Sequence, residues 1–267
     1  MTLKKYWPDY RGGSIVNLMS SIAETFEKKT GYRQANLLSK QDLDAYKHIV
    51  LLEIDALGYE YLNSKQDSFL YRHACGSLTS VFPSTTGAAT TALNTGVAPQ
   101  QHGIPGWFAY VKELGGVIIT LPYVRRSGFF IDAHAVPFSS ITDAKGFSSG
   151  LQADAYVVIR EDLASTPYTT HMSASSTILP YSTLSGMMRQ ISRTVRSSER
   201  RRSFTFAYWA EFDGLGHEFG IESDEVEDHF WELDAAIRRL ADRLKGTNTL
   251  LIVSADHGML DNKADEI

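Results

Sequence analysis

Three short stretches of this 267-residue chain carry side chains that can do chemistry together. HIVLLEID ends in Asp55, EFDGLGHEFG holds Asp213 and His217 four residues apart, and SADHGM sets Asp256 beside His257. Aspartate and neutral imidazole are ligands suited to zinc or manganese. A fourth stretch, VFPSTTGAATT, places Ser84, Thr85 and Thr86 where a small-residue helix begins. Each feature alone has a plain structural reading. An aspartate after a strand forms a turn or a cap, an Asp and a His four apart can be a helix surface pair, and Ser84 or Thr85 can be an N-cap. As a set they say more: three acids and two histidines at one sheet edge would repel and desolvate badly unless cations sat among them. A hydroxyl such as that of Thr86, beside cations and at the positive end of a helix, has its pKa lowered and can attack phosphorus.

For these residues to meet, strands must end at a common edge. Residues 48–55, 203–210 and 248–254 are short apolar runs, each followed closely by an acid, as buried parallel strands would be. A further strand is expected over Ser77–Phe82. Helical spacing predicts a helix over 14–29, with Ser14 as N-cap and Ile15, Leu18, Ile22 and Phe26 on one stripe. A compact helix is expected over Thr85–Leu93, and a long one over 223–245 from Val226, Phe230, Leu233, Ile237, Leu240 and Leu244. Acids crowd the first turns of that long helix, bases its last turn, and Gly246 is its stop. The alternation implies an α/β fold, a mainly parallel sheet with helices on both faces. Residues 108–202, rich in Gly, Ser, Thr and Tyr, interrupt the rhythm and read as an inserted cap over the site. The aromatics Trp107, Phe108, Tyr110, Tyr123, Phe129 and Phe130 read as core filling rather than as a stack for a base. An amphipathic helix carrying Leu184, Met187, Met188, Ile191 and Val195 precedes Arg196, Arg200, Arg201 and Arg202, which read as a solvated helix end.

Hydrophobic residues make up 43% and charged residues 21%, the balance of a globular protein with a real core. The formal charge of −5 argues against a nucleic-acid polymer as partner. One cysteine, Cys75, excludes an internal disulfide. MTLKKYWPDYRGG has no apolar run after its lysines, and no stretch approaches the roughly 18 apolar residues of a membrane span. The expectation is a cytoplasmic protein of one domain acting on a small molecule, without a membrane.

EIDALG (53–58), VFPSTT (81–86), NTGVAPQQHGI (94–104), EFDGLGHEFG (211–220) and SADHGM (254–259), in this order, resemble the alkaline phosphatase superfamily, in its type I phosphodiesterase/nucleotide pyrophosphatase branch. The resemblance implies that superfamily's fold and two divalent metal ions, zinc with manganese as the alternative. It places Thr86 as nucleophile and metal ligand, with Asp55, Asp256 and His257 on the same ion. Asp213 and His217 fall on two ligands of the other ion. His102 matches no ligand and reads as fixing a turn. Two departures stand out. The further histidine that completes the second ion site in the family has no counterpart in the ten residues after His257, which reads as a C-terminally truncated member or a site completed otherwise. Trp107 stands about where the branch carries an Asn contacting the phosphoryl oxygen, which weakens the inference to a nucleotide substrate. The Cys- or Ser-x-Pro-x-Arg signature of the sulfatase branch is missing. The implied activity is two-metal hydrolysis of a phosphodiester or phosphomonoester through a covalent phosphothreonine. The alternatives are an incomplete, non-catalytic metal-binding member and a metal-dependent phosphotransferase or mutase.

Overall fold

The computed structural model describes residues 6–198 and 201–261. Its strands are β1 (His48–Ile54), β2 (Phe108–Val111), β3 (Gly116–Ile119), β4 (Val124–Arg125), β5 (Asp154–Arg160), β6 (Thr177–Tyr181), β7 (Ser203–Trp209) and β8 (Thr249–Ser254). Five of them form one sheet in the order β6-β5-β7-β1-β8, every neighbouring pair parallel. The composition of β1 explains why the sheet is covered twice. Val50, Leu52 and Ile54 pack in one core with the helices Leu184–Ser197, Glu211–Phe219 and Asp224–Leu244. Ile49 and Leu51 pack in another with α1 (Ile15–Thr25) and the helix Thr86–Thr95. Period-2 alternation thus sends one apolar set to each helical layer, and the expected α/β architecture is what the chain adopts.

The long helix runs Asp224–Leu244, and Ser223 accepts a hydrogen bond from the Val226 amide at 3.4 Å. Gly246 follows at φ +78°, a conformation that glycine takes without steric cost. The Thr86–Thr95 helix ends at Gly96, in the left-handed region at φ +77°. No transmembrane helix exists among the described residues: none is long and apolar enough to cross a membrane.

Four expectations change. Ser77–Phe82 is not a strand: Thr79 makes one isolated bridge to Ser14, and its N–H and C=O engage Gly13 and Ile15. Pro83, without an amide hydrogen, follows at once, so no ladder extends. The 108–202 segment is not all cap, because β5 and β6 pair into the central sheet and the helix Leu184–Ser197 packs in its core. Only β2, β3 and β4 form a separate antiparallel sheet. Its aromatics are mostly not core: Tyr123 is buried, but Phe108, Tyr110, Phe129 and Phe130 are exposed, Phe130 to 90%. The arginine cluster divides as well. Arg202 donates to the Thr25 and Tyr46 carbonyls and lies over the Phe26 ring, while Arg201 pairs with Asp154. Arg200 and the chain beyond Asp261 lie outside the described residues.

Candidate metal and nucleophile site

Parallel strands of equal register end together, which brings the acids to one edge. β1 pairs β7 from His48↔Ser203 and β8 from His48↔Thr249, so Asp55, Trp209 and Ala255 fall at neighbouring levels. Alternation then selects the face. Asp55 and Glu53 continue the series of Ile49 and Leu51, Tyr208 that of Phe204 and Phe206, and Asp256 that of Leu250 and Ile252. All four point toward the layer that holds the Thr86–Thr95 helix.

Thr86 opens that helix, one residue after Thr85 at the N-cap position. Its Oγ1 lies 3.4 Å from Asp55 Oδ1 and 3.1 Å from His257 Nε2. His257 Nδ1 is 3.0 Å from the Gly258 carbonyl, an acceptor, so the neutral ring carries its proton there and turns the Nε2 lone pair toward Thr86. His257 Nε2 is also 3.4 Å from both Asp55 Oδ1 and Asp256 Oδ2. Asp256 Oδ1 is held by the amides of Ala56 (3.1 Å) and His257 (2.8 Å). Asp55 Oδ2 accepts from the Tyr208 hydroxyl. Ala56, between the two strand ends, sits at φ +61°. Gly58 and Gly258 let the two loops touch, since a Cβ on Gly58 would lie 2.6 Å from the Gly258 Cα. Gly87 permits a similar approach: its Cβ would meet the Gly106 oxygen at 2.1 Å.

Asp213 and His217 come from the Glu211–Phe219 helix, with His217 Nε2 3.6 Å from Asp213 Oδ2. Asp213 reaches the strand-end acids: among the described residues, Asp55, Asp213 and His257 present ligand atoms all within 4.8 Å of one another. His217 pairs with Asp213 but its side chain is 74% exposed, and it is not part of that cluster.

The electrostatics fit a cation. Burial, then the charges of Asp256 and Asp213, push the Asp55 carboxyl well above the usual range, against the Tyr208 hydrogen bond. Burial also raises Asp213, against the two histidines. Asp213 Oδ1 and Asp256 Oδ2 are buried without a hydrogen-bond partner. Orphaned carboxylate oxygens cost free energy in a dry site and are the donors that a divalent cation uses. The set of carboxylates, one imidazole lone pair and a hydroxyl suits zinc or manganese.

Three neighbours were not singled out from the sequence. Tyr208 holds Asp55, Ser80 donates to the Asp256 carbonyl, and Glu53 is buried behind Asp55. The signal was present for Glu53 and Tyr208, as polar groups two residues from a ligand or at the end of an apolar strand; Ser80 left none. His102 does fix a turn. Its Nδ1 accepts from the Ile104 amide at 3.1 Å, so Nε2 carries the proton to the Ala88 carbonyl, also at 3.1 Å. Burial lowers its pKa to about 4, keeping the ring neutral.

Residues 49–267 match the sequence family described as type I phosphodiesterase/nucleotide pyrophosphatase. No curated protein sequence matches the chain significantly. Among solved structures, an inactive variant of murine ectonucleotide pyrophosphatase/phosphodiesterase 5 in complex with AMP superposes with a TM-score of 0.61 at 20% identity, over 81% of this chain and 58% of that one. The human counterpart gives 0.60 at 20% identity, with the same coverage of 81% and 58%. Phosphonoacetate hydrolase from Sinorhizobium meliloti 1021, bound to phosphonoformate, gives 0.54 at 17% identity, over 82% and 59%. At these identities the likeness is one of fold, and the chain spans less than two thirds of each of these relatives.

Proposed function

From the premise that this chain belongs to the type I phosphodiesterase/nucleotide pyrophosphatase family, we propose that it is a metal-dependent hydrolase of phosphate esters with Thr86 as nucleophile. The observation that carries the reading is Thr86 Oγ1 at a helix N-terminus, 3.4 Å from Asp55 and 3.1 Å from His257, beside the convergent Asp55, Asp213 and His257 donors. Asp55, Asp256 and His257 would hold one divalent ion with Thr86, and Asp213 and His217 would contribute to a second, zinc or manganese in each case. Such ions, when bound, lower the pKa of a coordinated hydroxyl and neutralise charge on phosphoryl oxygens.

The chain's own residues do the rest. The Thr86 and Gly87 amides open the Thr86–Thr95 helix and would face an incoming phosphoryl group, whereas those of Ala88 and Ala89 bond the Thr85 carbonyl. Thr86 Oγ1 releases its proton to solvent and attacks phosphorus. The P–Oγ bond forms as the bond to the ester oxygen breaks, and the leaving alcohol takes a proton from solvent. Water then attacks the phosphothreonine, the P–Oγ bond breaks, and Thr86 regains its proton. Asp55, fixed by Tyr208, orients the hydroxyl. The substrate is a small phosphodiester or phosphomonoester. AMP, present in the murine relative's complex, suggests a nucleotide as the first compound to try.

The test is turnover of bis(p-nitrophenyl) phosphate and p-nitrophenyl phosphate by the zinc-loaded chain. Thr86→Ala should lower kcat by about 10³-fold or more, with unchanged circular dichroism. Retention of most activity by Thr86→Ala rules out the covalent step.

A further inference from the structure

The contact between Thr86 and Asp55 has a second copy one step deeper in the protein. Thr90 lies four residues after Thr86 on the same helix, and Glu53 lies two residues before Asp55 on β1. Thr90 Oγ1 donates to Glu53 Oε1, and Thr86 Oγ1 lies 3.4 Å from Asp55 Oδ1. Four helical residues advance about 6.0 Å, and two strand residues about 6.6 Å. Two Thr–carboxylate rungs therefore stay in step across the helix–strand interface. Leu51, the next residue on that face of β1, is apolar and ends the ladder.

Glu53 is 0% exposed in a central strand, an expensive place for a carboxyl group. Its second oxygen, Oε2, is buried with no hydrogen-bond partner. An apolar side chain would suit the strand better, as Ile49 and Leu51 do on the same face. The carboxyl is therefore not explained by packing. A cavity of about 10 Å³ lined by Thr90, Tyr208 and Ser173, among others, adjoins the rung and has room for about one water. The apolar contacts of this helix with the sheet layer come from Ala88, Ala89, Ala92 and Leu93. Burial of such small apolar groups is non-directional and lets a helix slide. A hydrogen bond at a fixed position does not.

We propose that Glu53 is a positioning residue: through Thr90 it sets the register of the Thr86–Thr95 helix against β1 and so holds the Thr86 hydroxyl over Asp55. The inference rests on the reading of Thr86 as nucleophile. Glu53 does this at the expense of stability, so activity and stability move in opposite directions when it is replaced by an apolar residue.

The experiment uses the zinc-loaded full chain and the two p-nitrophenyl esters. Glu53→Leu and Thr90→Val should each lower kcat by about 10- to 100-fold, with KM within about threefold, while Glu53→Leu keeps or raises Tm. Glu53→Gln and Thr90→Ser, which preserve the hydrogen bond, should stay within about threefold of the parent kcat. Full kcat in Glu53→Leu or Thr90→Val overturns the proposal, as does a Glu53→Gln defect equal to that of Glu53→Leu. A crystal structure of Thr90→Val gives a readout independent of turnover. Displacement of Thr86 Oγ1 from Asp55 supports the ladder, and an unchanged contact overturns it. If the parent chain hydrolyses neither ester, the proposed function fails, and the crystal structure still decides the ladder.

Discussion

Asp55, Asp256 and His257 stand at the ends of two adjacent strands of the main sheet, β1 and β8, whereas Asp213 and His217 stand on a helix of nine residues. In the first group the carboxylates are buried and held in place: two backbone amides grip Asp256 Oδ1, and the Tyr208 hydroxyl grips Asp55. In the second, Asp213 is half-enclosed and His217 is 74% exposed. Strand ends inherit the rigidity of five paired strands, and a short helix has only its own packing. Gly216 illustrates how that helix is seated: a Cβ there would lie 2.6 Å from Met259 Sδ, so the glycine admits the chain that follows His257. Asp261 completes the seat by accepting from the Ile221 amide at 2.8 Å. The difference teaches that the strand-end groups are held in place by the fold itself, whereas His217 on the helix lies at the surface.

That contrast predicts unequal effects. Asp55→Asn should weaken zinc binding by about a hundredfold or more, and His217→Ala by about tenfold or less. Isothermal titration of each variant would reveal equal losses if the two halves were alike. Zinc itself should stabilise the fold: at about 100 times its Kd, binding adds about 2.7 kcal/mol, or roughly 5–10 °C in Tm for a chain of this size. The gain should grow with pH. The Asp55 and Asp213 carboxyls are raised in the folded state. Stability of the cation-free chain is therefore full below the ordinary carboxylate range and falls as pH rises through the raised values. A zinc-induced Tm shift that is the same at about pH 5 and about pH 8 would contradict this.

His102 sharpens the comparison in the opposite direction, because it braces the Thr86–Thr95 helix at the Ala88 carbonyl, whereas the His217 side chain is mostly exposed. Its folded pKa of about 4 lies below that of the unfolded chain. The contribution is present above about pH 6.5 and is lost as pH falls through about 4, up to about 3 kcal/mol. Subtracting the acid unfolding profile of His102→Gln from that of the parent should expose this loss, and parallel profiles would exclude it. The smallest effects come from backbone conformation. Ala56 occupies φ +61°, so Ala56→Gly should stabilise by up to about 1 kcal/mol. Gly214, in the helix that carries Asp213 and His217, has open space where a Cβ would be, so Gly214→Ala should stabilise by about 0.5–1 kcal/mol. Opposite substitutions thus help in the two halves, and chemical denaturation with unchanged m-values would check both.

Much of this was legible in the residues. Mainly apolar runs such as HIVLLEI fix a strand buried on both faces, and the 4-3-4 spacing from Val226 to Leu244 fixes a long helix, because each pattern depends only on local periodicity. The acids of the site could be named for the same reason, since strand ends in a parallel sheet share one edge. Other features could not be read. Ser77–Phe82 has strand-like composition, but its one backbone bridge, at Thr79, goes to the segment around Gly13 and Ser14. The 108–202 stretch reads as an insertion, yet β5 and β6 within it fill one side of the sheet. The sequence by itself determined the fold class and the identity of the ligand-type residues. The tertiary structure alone decided which of them meet, that Asp213 joins Asp55 and His257 while His217 stays at the surface, and that Glu53 answers Thr90. The physical reason is that side-chain type and periodicity are local properties. Register between a helix and a strand is set by contacts between residues tens to hundreds of positions apart.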